Sequence, residues 1–138
     1  MPLRIRLKPD EKIVVNGAVL SVGGERASTL VLHNTASVLR GKDILLPEDA
    51  DTPVKRIYLA VQMLYMDPEG AETYHAEFAA RLRDVLDVLT TREVIDQLET
   101  VRRLVEEGSY YAAMSGLRDV LKFEDRLLGR TGEEGTTS

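Results

Sequence analysis

The period of the hydrophobic and polar positions changes near residue 50 of this chain. The opening LRIRLK alternates apolar with cationic residues, which is the period of a strand with one buried face and one wet, positive face. After residue 50 the apolar residues recur every three or four positions, which indicates helices. The pattern therefore predicts an α+β protein with a β subdomain at residues 1–50 and a helical subdomain at residues 51–129.

The β subdomain contains one strong hairpin signal. Two apolar stretches, 12–15 and 18–22, flank Asn16-Gly17, a pair that adopts the positive φ angles of a two-residue type I′ turn. Residues 26–32 are a further strand candidate. Residues 38–46 are a less regular one, because Gly41 interrupts them and 44–46 fit either a short strand or an extended plug. We expect a small antiparallel sheet or partial barrel of four to five strands.

The first predicted helix begins at Thr52-Pro53, where a hydroxyl can cap the helix and proline is tolerated at the first position. One face carries Val54, Ile57, Tyr58, Val61, Leu64 and Tyr65. A second apolar row, Leu59, Met63 and Met66, leaves only Lys55, Arg56 and Gln62 clearly polar. A helix that is apolar on two sides is normally sandwiched, so we expect it to pack on the strands before it and the helices after it, or on a second subunit.

Three more helices complete a four-helix C-terminal region. Asp67-Pro68 predicts a start for the second, which should run to about Leu89. Thr90 and Glu93 have the spacing of a capping box for the third, which Gly108 should close as a left-handed cap. The fourth should run from Ser109 to Gly129. Residues 130–138 contain no apolar side chain and are expected to be a disordered tail.

Composition excludes several functional classes. The 138 residues carry a net charge of −5, no cysteine and two histidines, so disulfides and thiolate chemistry are excluded and a transition-metal site is not expected. No apolar run approaches the length of a membrane span. No phosphate loop, nucleophile elbow or metalloprotease motif is present. We therefore expect a cytoplasmic protein that is not an enzyme and has no metal, no cofactor and no membrane partner.

The cations of the β subdomain support two interpretations. Charges on the wet face of an edge strand can simply prevent aggregation. They can also contact phosphates, in which case the candidate RNA-binding residues are Arg4, Arg6, Lys8, Lys12 and Arg26, with Lys55 and Arg56 of the first helix as auxiliaries. Lys55 and Arg56 can instead pair with Asp49 and Asp51. The β subdomain has no aromatic residue for base stacking, which RNA-binding sheets usually provide.

The first helix offers a second candidate surface. Its spare apolar row and neighbouring tyrosines fit either a docking site for an amphipathic helix or a seam between subunits. The candidate protein-interface residues are Leu59, Met63, Met66, Tyr58 and Tyr65. The sequence does not separate the two interpretations, although we expect a homo-oligomer.

Two stretches resemble a known family. The opening MPLRIRLKPDEKIVVNGAV, and the block KDILLPEDADTPVKRIYLAVQMLYMDPE with Tyr74-His75 after it, are similar to the flagellum biosynthesis repressor FlbT family. The resemblance covers the chain to about residue 90. It implies a cytoplasmic post-transcriptional regulator that acts on the 5′ untranslated region of flagellin mRNA, limits translation and promotes decay. It supplies no binding residues.

Two functional hypotheses follow. In the first, the chain binds a flagellin mRNA leader through the cations named above. In the second, it is a protein-binding adaptor or chaperone-like module whose helices bind flagellin or another flagellar regulatory protein, and any effect on mRNA is indirect. The acidic total charge and the missing stacking aromatics keep the second hypothesis open.

Overall fold

The computed structural model describes residues 3–129 and has the α+β architecture that the sequence predicts, with five strands followed by four α-helices. Its contacts divide between Ile44 and Leu45 into two compact units, which we call the β unit and the helical unit. Residues 45–50 thus belong with the helices, whereas the sequence placed the boundary at residue 50. The tail predicted at 130–138 lies outside the described residues.

The β unit contains two small antiparallel sheets. Its strands are β1 (Leu3–Leu7), β2 (Lys12–Val15), β3 (Ala18–Ser21), β4 (Ser28–Leu32) and β5 (Val38–Arg40). Strand β1 pairs with β4, and β2 lies between β3 and β5. Apolar residues of both sheets share one core, in which Ile5, Leu7 and Ile13 are buried and Leu30 and Leu32 pack against them. The alternation in the opening strand therefore predicts the core correctly at Ile5 and Leu7 but not at Leu3, which is 51% exposed.

The hairpin between β2 and β3 confirms the turn prediction. Asn16 has a φ of 50° and Gly17 a φ of 86°, the left-handed values at both central positions that a type I′ turn requires. The Asn16 side chain also accepts a hydrogen bond of 2.9 Å from the backbone N–H of Ser37. Asparagine therefore both permits the turn and ties it to the segment that enters β5.

The uncertain stretch 38–46 is a strand only at its start. Strand β5 ends at Arg40, and a short 3-10 turn, Gly41–Asp43, follows it. Residues 44–46 have no regular element, and a second 3-10 turn spans Pro47–Asp49. Of the two alternatives for residues 44–46, the structure thus has the extended segment.

The helical unit consists of α1 (Pro53–Met66), α2 (Ala71–Val88), α3 (Arg92–Glu106) and α4 (Tyr110–Leu127). Helix α1 packs against α2 and α4, and α3 packs against α4. The predicted stripe of α1 is the buried one, since Val54, Ile57, Tyr58, Val61 and Leu64 all lie in the core. None of the helices in residues 3–129 is long and apolar enough to cross a lipid bilayer.

Helix α1 begins as the sequence predicts. Pro53 occupies the first turn and the Thr52 hydroxyl accepts a bond of 3.2 Å from the backbone N–H of Lys55. A second group, absent from the prediction, also serves this helix end: the buried Glu124 carboxylate of α4 accepts from the Val54 N–H at 3.1 Å and from the Thr52 hydroxyl. The start of α1 is therefore held by both a local and a distant cap.

Two other helix starts differ from the predictions. Asp67-Pro68 begins a 3-10 turn, Pro68–Gly70, and α2 itself starts at Ala71. The Tyr74 hydroxyl donates to Asp67 at 2.8 Å, and its ring leaves no room for a Cβ at Gly70. The capping box was wrong as well, because the N-cap of α3 is Thr91 and makes no side-chain cap bond. With Thr91 as the N-cap, the third helical position is the buried Val94 and not Glu93, whereas a capping box needs Glu or Gln there.

Gln62 is a further correction, because the sequence assigned it to the polar side of α1. It is only 5% exposed. Its side-chain carbonyl accepts from the Leu45 N–H at 2.8 Å, and its amide donates to the Leu45 carbonyl at 2.9 Å. The side-chain amide thus satisfies both backbone groups of Leu45, as a neighbouring strand would do in a sheet. Gln62 therefore fixes the first residue of the helical unit to α1.

Candidate nucleic-acid interface

The outer face of the β1–β4 sheet carries the first two candidate cations. In this register Arg4 lies opposite Val31 and Arg6 opposite Thr29, and directly opposed residues share a face. All four side chains are exposed, whereas Ile5 on the other face is buried. We call this surface the arginine face. The Cα atoms of its two arginines are about 7 Å apart along the strand.

The other three candidates of the β unit are also exposed. Lys8 follows β1 directly and Lys12 begins β2, so a short connection joins them. Arg26 lies in a bend before β4, which starts at Ser28 and not at residue 26 as predicted. Within residues 3–129, no ion pair involves any of the five candidates, which are Arg4, Arg6, Lys8, Lys12 and Arg26.

An ion pair that the sequence did not reveal connects the two sheets. Arg40 at the end of β5 donates through Nε and Nη2 to one oxygen of Glu11, at 2.9 and 2.7 Å. The same Nη2 donates to the backbone carbonyl of Arg6 at 2.8 Å, and the other Glu11 oxygen accepts from the Lys8 N–H at 3.2 Å. We call this network the Glu11 brace. It fixes the end of β1, where Arg6 and Lys8 lie, against β5 of the other sheet.

The brace alters the acid–base behaviour of its carboxylate. The hydrogen bonds from the Arg40 side chain, and then from the Lys8 backbone, hold the pKa of Glu11 below its usual value, because both favour the charged form. Glu11 is therefore ionised whenever the pH is above the ordinary range for glutamate. The guanidinium of Arg40 is neutralised by this pairing, so Arg40 is not a candidate for a phosphate contact.

Lys42 is an exposed cation that the sequence interpretation missed. It follows Gly41, whose backbone lies so close to β2 that an added Cβ would be 3.0 Å from the Lys12 carbonyl oxygen. Consecutive Cα atoms are about 3.8 Å apart, so Lys42 enters the neighbourhood of Lys12. A glycine followed by lysine was the only sequence signal, and nothing local indicated the approach to β2.

The auxiliary candidates Lys55 and Arg56 belong to the helical unit. Lys55 is half-buried and pairs with Asp51 at 3.4 Å, one of the two partners considered from the sequence. Arg56 is exposed. Its neighbour Lys55 therefore has a structural role at the start of α1, where a cation alone would be unfavourable.

The division into units also divides the charge. Residues 1–44 contain seven Lys and Arg against four Asp and Glu, a net charge of +3. Residues 45–138 contain eleven against nineteen, a net charge of −8. A boundary at residue 50 would instead assign Glu48 and Asp49 to the first unit and reduce its net charge to +1. A polyanion is thus attracted to the β unit and repelled by the other.

The predicted protein-interface residues are only partly available. Leu59, Met63 and Met66 are half-buried and remain candidates. Tyr58 is 3% exposed, because it lies on the face of α1 that forms the core, so it cannot contribute to a surface. Tyr65 is half-buried, with its ring centroid 5.7 Å from that of Tyr111.

A second apolar surface lies at the ends of the helices. Val88 is 79% exposed and Leu127 70%, and both line a groove of about 260 Å³ with Val85, Phe123 and Leu128. Leu128 lies beyond the last residue of α4 and is exposed. Within residues 3–129, no group of three or more metal-ligating side chains is assembled.

Comparison with known proteins gives a consistent result. Residues 3–128 match the family model described as "Flagellar protein FlbT". A "Flagellum biosynthesis repressor protein FlbT" of Caulobacter vibrioides (strain CB 15) is 43% identical over 129 residues, covering 94% of this chain and 91% of the relative. A probable flagellum biosynthesis repressor of Bradyrhizobium diazoefficiens is 33% identical over 130 residues, covering 94% and 87%.

No solved structure matches the chain. The family match extends through the helical unit, beyond the residue 90 at which the resemblance in the sequence faded. Both the family model and relatives above 30% identity span nearly the whole molecule. The chain therefore belongs to the FlbT family of flagellum biosynthesis repressors.

Proposed function

We propose that this protein represses flagellin synthesis after transcription, by binding the 5′ untranslated region of flagellin mRNA in the cytoplasm, where it limits translation and promotes decay. Membership of a repressor family for flagellum biosynthesis supports the regulatory part of this proposal. The direct contact with RNA rests on the β unit. Arg4, Arg6, Lys8, Lys12 and Arg26 contact phosphates, and Lys42 joins them.

The observation that carries the proposal is the contrast between paired and unpaired cations in the β unit. Arg40 is neutralised by Glu11, whereas the five candidate cations are exposed and form no ion pair within residues 3–129, although the charge of Lys8 also acts on Glu11. If the cations served only to prevent aggregation at an edge strand, they would be needed on β1 alone. Lys12 and Arg26 lie outside that strand, so edge protection does not account for them.

The composition of the β unit also defines the mode of recognition. Residues 1–44 contain no phenylalanine, tyrosine or tryptophan, and the exposed His33 is the one aromatic side chain of the unit, so base stacking contributes little there. The affinity must come mainly from phosphate contacts, which release counterions and depend steeply on salt. The Glu11 brace supports this mode because it holds the Arg6 and Lys8 backbone in one position, which limits the entropy lost on binding.

A mobility-shift titration of a flagellin leader RNA over a salt series tests the proposal. The double charge reversal Arg4→Glu with Arg6→Glu should weaken binding by at least tenfold. It should also reduce the slope of log affinity against log salt by about 1.4, since each single-strand phosphate contact contributes about 0.7. The matched control is Arg83→Glu with Arg103→Glu, two exposed arginines of the helical unit, which should change neither quantity comparably.

Two results would reject RNA binding by the arginine face. One is a salt slope near zero for the unmodified protein. The other is an unchanged affinity in the Arg4 and Arg6 double variant, provided that amide hydrogen exchange shows its β unit to be folded.

A second candidate function is a protein-binding adaptor for flagellin or a flagellar regulatory protein. The observation that favours it is the half-exposed apolar row of α1, in a unit whose net negative charge disfavours RNA. In a pull-down with purified flagellin, Met63→Gln should remove binding while the tyrosine fluorescence of the helical unit still reports a folded state. The control is Met114→Leu, a conservative change at a buried position, which should leave binding unchanged.

A further inference from the structure

Strand β3 forms an unprotected edge of the three-stranded sheet. Within residues 3–129 it pairs only with β2, and all four of its side chains are exposed. Val19 is 65% exposed and Leu20 39%. The strand contains no charge and no proline, the features that usually prevent pairing with another chain. Its edge is therefore a template for an additional strand.

The edges of the β1–β4 sheet differ from this one. Strand β1 carries Arg4 and Arg6, and the Arg6 carbonyl already accepts a bond from Arg40. Strand β4 is uncharged, but its Leu30 and Leu32 already pack against the core. In β3, by contrast, apolar side chains remain exposed on both faces of the strand. A partner strand at this edge would thus remove apolar surface from water as well as satisfy backbone groups.

The register of the hairpin determines which backbone groups are open. Val15 and Ala18 flank the two-residue turn and exchange hydrogen bonds, and such pairs alternate along an antiparallel ladder. Leu20 therefore directs its N–H and C=O toward Ile13. Val19 and Ser21 direct theirs to the open edge.

We infer that β3 of one molecule pairs antiparallel with β3 of a second copy of this chain. The twofold axis passes between the two Leu20 residues, and Val19 of each copy lies opposite Ser21 of the other. This register uses both residues that have open backbone groups, and each pair exchanges two hydrogen bonds. An Ala-Val-Leu-Ser strand is compatible with its own copy because no like charges meet. The two three-stranded sheets become one continuous sheet of six strands.

The pairing also brings cations of two copies onto one surface. Lys12 lies opposite Ser21 in the hairpin and so shares a face with Val19 and Ser21. In the joined sheet the two Lys12 residues lie on the same side, roughly 16 Å apart from strand spacing and rise. That separation exceeds the Debye length at physiological salt, so their repulsion is small. A dimer would contact RNA at two places, a consequence that rests on the proposed function although the pairing itself does not.

The contact is small, so the dimer should be weak. Two four-residue strands bury much less than the roughly 800 Å² per partner of a standard interface. We expect dissociation in the micromolar range, with the monomer predominant in dilute solution.

A cysteine cross-link tests the register directly, because the natural chain has no cysteine. In Leu20→Cys the two thiols of a dimer lie opposite each other, within the Cα separation of a disulfide, and oxidation at about 100 µM should give a covalent dimer. In the matched variant Val19→Cys the two thiols lie diagonally, beyond about 7 Å, and should not cross-link although Val19 is the more exposed residue. Equal cross-linking of the two variants, or none in either, would overturn the inference.

A second variant tests the pairing without a new thiol. Ser21→Pro removes an open-edge N–H but no bond of the hairpin, and proline is tolerated at such positions. Light scattering at high concentration should give the natural chain a mass approaching twice its 15.4 kDa and the variant the mass of one chain. A natural chain that stays monomeric, or a variant that dimerises equally, contradicts the proposal. No RNA is present, so either result is independent of the RNA-binding test.

Discussion

Arg40 and Glu11 are joined by two hydrogen bonds, in which Nε and Nη2 of the guanidinium donate to a single carboxylate oxygen at 2.9 and 2.7 Å. The residues come from different parts of the β unit, since Glu11 precedes β2 and Arg40 ends β5. The pair is partly exposed, so its effect on stability is modest. Its main effect is geometric, because Arg40 also bonds the backbone of Arg6.

The first prediction concerns the pH dependence of the Glu11 brace. The pKa of Glu11 is lower in the folded chain than in the unfolded chain. The stabilisation is therefore present above the ordinary glutamate pKa of 4.5 and is lost as the pH falls through the lower, folded-state value. Glu11→Gln should accelerate hydrogen exchange of the β5 amides at pH 7 and have progressively less effect as the pH is taken below 4.5.

Hydrogen exchange is the appropriate measurement here because the β unit has no tyrosine or tryptophan to report its unfolding. The control is Glu25→Gln, an exposed acid of the same unit that makes no ion pair within residues 3–129. A Glu11→Gln effect of equal size at pH 7 and well below pH 4.5 would show that the charge pair is not its cause.

The second prediction concerns the double cap of α1. Thr52→Val removes both the hydroxyl that caps Lys55 and its bond to Glu124, and Glu124→Gln replaces the carboxylate that accepts from Val54. Each change should cost roughly 1–3 kcal/mol of unfolding free energy, since it leaves a buried polar group unsatisfied. Because the two residues contact each other, the double variant should lose less than the two costs added together.

Urea unfolding followed by tyrosine fluorescence measures this cycle, since all five tyrosines lie in the helical unit. Thr91→Val is the matched control: Thr91 is also an N-cap threonine, but it makes no cap bond. Strict additivity of Thr52→Val and Glu124→Gln would argue against a shared cap.

The third prediction concerns the bond between Gln62 and Leu45. Gln62→Leu keeps the volume of the side chain but leaves the N–H and C=O of Leu45 without their partner. The expected cost is about 1–3 kcal/mol, or several degrees in Tm for a unit of this size. Gln97→Leu, a half-buried glutamine of α3, should be nearly neutral in the same thermal scan. Equal Tm values for the two variants would contradict the assigned role.

The fourth prediction concerns the close approach of Gly41 to β2. Gly41→Ala places a Cβ 3.0 Å from the Lys12 carbonyl oxygen, and backbone cannot move aside as a flexible side chain does. The expected cost is about 1–3 kcal/mol, seen as faster hydrogen exchange of the Val14 and Val15 amides. Gly23→Ala has open space around it and should leave exchange unchanged. If both substitutions behave alike, the packing at Gly41 is looser than the distance indicates.

The features predicted correctly from the sequence depend on neighbouring residues. Asn16-Gly17 determines its own φ angles, and Gly108 closes α3 with a φ of 80° and a bond from the Ser109 N–H to the Leu104 carbonyl. The Thr52 cap acts on Lys55, three residues away. Such chemistry is visible locally because its distance in the chain is fixed.

The features that the sequence did not reveal join residues far apart in the chain. Glu11 meets Arg40 across 29 positions, and Thr52 meets Glu124 across 72. No local pattern determines such register, because it follows from how strands and helices pack. The predicted start of α3 was also wrong: the N-cap is Thr91 and not Thr90, and the buried Val94 lies three residues after it. The alternation of Arg4, Arg6 and Lys8 with apolar residues was visible in the sequence. The pairing of Arg40 with Glu11 and the approach of Lys42 to Lys12 were not.

The separation of charge between the two units means that whole-molecule measures misdescribe the protein. Its isoelectric point near 5.1 is that of an acidic protein. An anion exchanger would retain it through the negative charge of the helical unit. An immobilised polyanion such as heparin would retain the same molecule through its other unit. Purification behaviour on one resin thus says little about the ligand that the other unit accepts.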